Sequence, residues 1–100
     1  VRSTVAAVID LMDAARVRDL ASHRDLAEGT ALLEHGAVRL LTLRPRLIAA
    51  SVAGDETVRV EFWTSGSALR WYCSFPHHDG FCRHCVAVGL LIARESGGAA

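Results

Sequence analysis

Apolar positions change period once along this chain, and that change divides it into helical and strand-forming parts. Val5, Val8, Ile9 and Met12 recur at helical spacing, with Asp10, Asp13 and Arg16 on the polar side and Ser3 or Thr4 placed to cap. They predict a short amphipathic helix ending near Val17. A second helix begins at Ser22, whose pairing with Asp25 three residues later resembles a capping box. Leu26, Thr30 and Leu33 form its stripe, and Gly36 is placed to cap its C-terminus. Gly29, in mid-helix, costs ~1 kcal/mol relative to alanine. Such a glycine is expected where another backbone comes close.

After Gly36 the period falls to two. Residues 37–45, 46–54, 57–64 and 68–73 read as four strands, and "RP", "GDE" and "SGS" between them are short turn-formers. In the third strand Val58, Val60 and Phe62 alternate with Arg59, Glu61 and Trp63, one buried face and one wet. A final helix over residues 82–94 is apolar nearly all round and should lie across the buried face of the sheet. The expectation is an α+β fold: two N-terminal helices, a four-stranded antiparallel meander, then a Cys/His-rich knuckle loop and a C-terminal helix packed on the sheet. By the same reading residues 1–19 form an N-terminal helix, 20–94 the main domain and 95–100 a tail.

Composition narrows the function less than the pattern does. At 100 residues and 51% hydrophobic, the chain suits one folded domain. Its basic residues, all arginine, number 11 against 11 acids, so no long-range field draws the whole domain to nucleic acid or membrane. No apolar run is long enough to span a bilayer, and the N-terminus, with Arg and Asp at short intervals, does not read as a signal peptide. The start at Val1 and the closing "ESGGAA" suggest a piece of a longer protein. An odd number of cysteines favours metal ligands or thiols in a reducing compartment over a disulfide framework, and a cytoplasmic location is expected.

The chemistry is concentrated in "WYCSFPHHDGFCRHCVAV", residues 71–88, which holds all 3 cysteines and three of the 5 histidines. Zinc takes four ligands in a tetrahedron from thiolate and imidazole. Cys73 ends the fourth strand, while Cys82 and His84 open the last helix, where the helix N-terminus favours thiolate over thiol. "C-S-F-P … F-C-R-H-C-V-A-V-G-L" resembles the SWIM zinc finger, whose pattern is C-x-C, a variable loop, then C-x-H leading into an apolar helix. "AEGTALLEHGAVRLL" and "LRWYC" resemble the elements that precede the finger in bacterial SWIM proteins, so the resemblance spans roughly residues 20 to 94. It implies zinc ligands at Cys73, Cys82 and His84.

The pattern's second cysteine falls on Phe75, which cannot bind a metal. His77, His78 and Cys85 are the available substitutes. Cys85 reads as a buried hydrophobe, pointing about 100° away from His84 on a regular helix. The expected fourth ligand is His78 (or His77), which lets the chain turn round Pro76 and come back.

One zinc ion is therefore the expected cofactor. The resemblance implies DNA or a partner protein as ligand, within a larger nucleic-acid-processing assembly. Arg39, Arg44, Arg46, Arg70 and Arg83 are the candidate nucleic-acid contacts, and either Trp71 or Tyr72 must face outward. No small-molecule substrate and no membrane partner are expected. Catalysis is not expected either: "CRHC" lacks the upstream H-x-E that nucleic-acid deaminases use. Two alternatives stay open. One is a degenerate, metal-free SWIM domain in which Phe75 plugs the site and the domain acts as a protein scaffold. The other is an open three-ligand zinc with a catalytic role.

Overall fold

The computed structural model describes residues 7–54, 56–75 and 80–97. Three helices come first, α1 (Val8–Leu11), α2 (Ala14–Leu20) and α3 (His23–Glu34). Four strands follow, β1 (Val38–Arg44), β2 (Leu47–Val52), β3 (Val58–Ser65) and β4 (Ala68–Cys73), and α4 (Arg83–Gly97) closes the order. The first expected helix is thus two pieces. Met12 and Asp13 are extended, and the Asp13 carboxylate accepts from Arg16 N at 2.8 Å, so a capping residue restarts the helix where periodicity alone would run on. Ser22 caps α3 as expected, accepting from Asp25 N at 3.1 Å, and Gly36 follows that helix with φ +72°. The last helix continues to Gly97, past the expected boundary at residue 94.

The sheet is an antiparallel meander in the order β1-β2-β3-β4. Leu47 pairs with Trp63 and Val52 with Val58; Val60 pairs with Cys73 and Phe62 with Trp71. One face therefore carries Ile48, Ala50, Val52, Val58, Val60, Phe62, Leu69 and Cys73, all buried. A β-bulge lies between Leu40 and Thr42 on β1. Residues five apart on a regular strand face opposite ways, and the extra residue at the bulge cancels that. Arg39 pairs with Ser51 and Arg44 with Leu47, so both arginines stand on the outer face.

All four helices lie on the inner side of the sheet. Helix α4 touches every strand and each of the other helices, and Cys85, Val86, Ala87 and Val88 are fully covered. Val8, Met12 and Val17 belong to the same core, which ties the N-terminal helices into it. Helices α3 and α4 meet at Gly29. A Cβ there would stand 2.6 Å from Arg83 O and 2.5 Å from Val86 Cβ, so only glycine admits this approach. Gly89 serves the same purpose on the other side, with Val17 Cγ2 3.0 Å and Met12 Sδ 3.1 Å from where its Cβ would be.

Gly29→Ala tests this packing. Alanine gains ~1 kcal/mol of helix propensity, but the blocking atoms are backbone and a β-branched stem, and overpacking of that kind costs ~1–3 kcal/mol or more. The variant should unfold at lower urea with an unchanged m value, and a stabilised variant would contradict the contact.

Candidate metal centre

Cys73 is the last residue of β4, and Val60 opposite it on β3 fixes its side chain to the inner face. The chain past β4 stays tied to the sheet: Ser74 N donates to Arg59 O and Arg59 N to Ser74 Oγ, each at 2.9 Å. Cys82 stands at the threshold of α4, because its carbonyl accepts the first helical hydrogen bond, from Val86 N at 2.9 Å. His84 lies one turn-fraction further on. Cys73 Sγ and Cys82 Sγ each lie 3.8 Å from His84 Nδ1, and all three ligand atoms fall within 4.8 Å of one another. Zn–S bonds of ~2.3 Å and Zn–N bonds of ~2.0 Å set tetrahedral edges of roughly 3.6–3.8 Å. The spacing and the donor types both fit zinc.

Phe75, two residues past Cys73, packs against this site. Its ring centroid is 5.1 Å from that of His84, and the Arg83 guanidinium stands 5.1 Å from the centroid of the same ring. Arg83 also pairs with Glu28 at 3.8 Å, so this arginine belongs to the junction of α3 and α4. Phe81 packs below, edge-on to Trp71 at 5.2 Å and tilted against Phe62 at 5.9 Å. A cleft of 330 Å³ between Leu32, Gly54, Glu56 and Phe75 reaches His84, which is 7% exposed.

His77 and His78, the expected fourth ligands, lie outside the described residues together with Asp79. Among the described residues, Cys85 supplies a further sulfur beside the cluster. It is fully buried, as a core hydrophobe would be, yet its Sγ lies 3.9 Å from Cys82 Sγ. The helical offset from His84 does not carry it away from Cys82, three residues back and nearly one turn below.

The three sulfurs share protons unequally. Cys82 is held far below the ordinary thiol value, first by the hydrogen bond from Cys73 and next by that from Cys85, with burial opposing. Cys73 is pushed up to about 11, chiefly by donating to Cys82, although the Phe75 backbone N–H pulls the other way. Cys85 is raised beyond the ordinary range by its bonds to Cys73 and Cys82 and then by burial. Within the cluster the negative charge is thus favoured on Cys82 over Cys73 and Cys85.

The candidate nucleic-acid arginines do not form one group. Arg39, Arg44 and Arg70 stand on the outer sheet face, Arg46 lies in the β1–β2 turn at its end, and Arg83 is on the helical side. Sequence reading missed Arg59, which joins the outer group; its alternation with Val58 and Val60 was the available signal. Of the two aromatics, Tyr72 faces outward and Trp71 inward. No membrane-crossing helix, long and apolar enough, occurs among the described residues. Comparison of the chain with protein-family models, curated proteins and solved structures finds no match.

Zinc must displace the Cys73 proton, so affinity should fall about tenfold per pH unit as pH drops from about 8 to about 6. If Cys85 also ligates, its proton adds a second decade per unit. Competition with a chromophoric chelator across this range measures the slope, and a pH-independent affinity would contradict the proton distribution.

Proposed function

We propose that this chain is a non-enzymatic interaction module built around one structural zinc, of the SWIM-finger type, that binds DNA or a partner protein within a larger nucleic-acid-processing assembly. The observation that carries the reading is the convergence of Cys73, Cys82 and His84, all buried, from the end of one strand and the start of one helix. A metal held there joins β4 to α4. Its binding free energy then adds directly to folding, because the unfolded chain has no such arrangement. The structural rather than catalytic role is supported by burial: all three donors are buried, and His84, at the cleft, is 7% exposed. Thiols in place of a disulfide suit a reducing compartment such as the cytoplasm.

Phe75 against His84 also supports the metal-free scaffold as a second reading, because the ring fills space that a coordinating cysteine would leave. Metal analysis separates the two. Protein purified under reducing conditions should carry one zinc per chain, and Cys73→Ser should abolish it. Loss in His78→Ala or His77→Ala would identify the loop histidine as fourth ligand, and loss in Cys85→Ala would identify the buried thiol. Chelation should lower the urea midpoint by an amount equivalent to several kcal/mol. A zinc-free protein with a cooperative, chelator-insensitive transition would establish the scaffold instead.

A further inference from the structure

The outer face of the sheet has no helix against it among the described residues, and its side chains are not those of a solvated face chosen at random. The register places them in three rows. Arg39, Ser51 and Arg59 lie side by side; Thr42, Ala49, Glu61 and Tyr72 form the middle row; Arg44, Leu47, Trp63 and Arg70 form the third. Four arginines therefore frame two aromatic rings, at strand spacings that make a patch roughly 14 Å across and 13 Å along the strands. Tyr72 is 51% exposed on this face. Glu61 is its one acid, and it is paired with Arg59 at 2.6 Å. The acids that cancel the chain's charge sit mainly on the other side: Asp10, Asp13, Asp19, Asp25, Glu28 and Glu34 all belong to α1, α2, α3 or their caps. A chain with zero formal net charge is thus basic on its open sheet, while on the helical layer Arg16, Arg18, Arg24, Arg83 and Arg94 offset most of the acids.

We infer that this outer face binds single-stranded nucleic acid, with Trp63 and Tyr72 as stacking platforms and Arg39, Arg44, Arg59 and Arg70 meeting the phosphates. The inference rests on the interaction-module reading but not on the metal. Single strands are favoured over duplex by the chemistry of the face. Rings on the open face of a sheet, Tyr72 exposed and Trp63 half-buried, need unstacked bases, whose π-faces a duplex hides, and no helix among the described residues stands on this face to enter a groove. The arginines frame the rings where a backbone would run beside stacked bases. The bulge at Leu41 is part of the device, since without it Arg44 would turn to the inner face.

The test is fluorescence anisotropy of a labelled single strand, ~12 nucleotides of oligothymidylate, against the same length of duplex, using folded protein of known zinc content. Single-strand binding should exceed duplex binding, and Tyr72→Ala should weaken it about tenfold or more. Arg44→Glu and Arg70→Glu should weaken it further and flatten its salt dependence, which for four phosphate contacts has a log–log slope of about −3. Arg24→Glu, on the helical side, should change nothing. Because Tyr72 and both arginines are exposed, circular dichroism of these variants should be that of the parent chain. No binding at about 50 mM salt by zinc-loaded protein, equal binding of duplex, or indifference to Tyr72→Ala would overturn the inference. The first of these outcomes leaves the zinc centre standing. Conversely, tight single-strand binding by a zinc-free chain would support the sheet surface and sink the metal reading alone.

Discussion

Helix α4 is the element on which the rest depends, because it is buried between two layers. A helix covered on nearly every side has to be apolar and, where neighbours approach, small. Val86 and Val88 meet the core, while Gly29 on α3 and Gly89 on α4 let the α3 backbone and the α2 side chains come within contact. With the axis held in this way, its N-terminus can fall only near the end of β4. That places Cys82 and His84 beside Cys73, so the packing of the helix brings the three donors together.

The cluster in turn explains how so small a domain keeps a sheet with one open face. Burial on the inner side supplies the core, but β4 is an edge strand, held at its end by the Ser74–Arg59 pair. A zinc held by Cys73 on one element and by Cys82 and His84 on the other would join that edge to the helix. The outer face is then free of structural duty, and its arginines and aromatics need not be covered. The candidate metal cluster and the basic, aromatic surface lie on opposite faces of one sheet.

Much of this was legible in the chain. The change of period after Gly36, the Ser22–Asp25 cap and the apolar last helix fixed the architecture, because each is a local signal that tertiary packing reinforces. Gly29 announced a close approach for the same reason: a glycine in mid-helix has a cost that only a neighbour explains. Three features were not legible. The break at Asp13 looked like the polar side of one helix, since a capping aspartate and a solvated one have the same spacing. The bulge at Leu41 leaves no mark in a run as uniform as "RLLTLR", so the faces of Arg39 and Arg44 could not be assigned. Cys85 was placed by its angle from His84, whereas its sulfur is close to Cys82, one turn back. Helical neighbours three apart decide that contact, and the angle between adjacent residues does not.

The central claim is that sulfur and imidazole from β4 and α4 share one zinc ion. X-ray absorption at the zinc edge of the purified, reduced protein tests it most directly. The account predicts a first shell that mixes sulfur at ~2.3 Å with nitrogen at ~2.0 Å, four donors in all. A shell of oxygen and nitrogen alone, as an adventitious surface zinc would give, would contradict it.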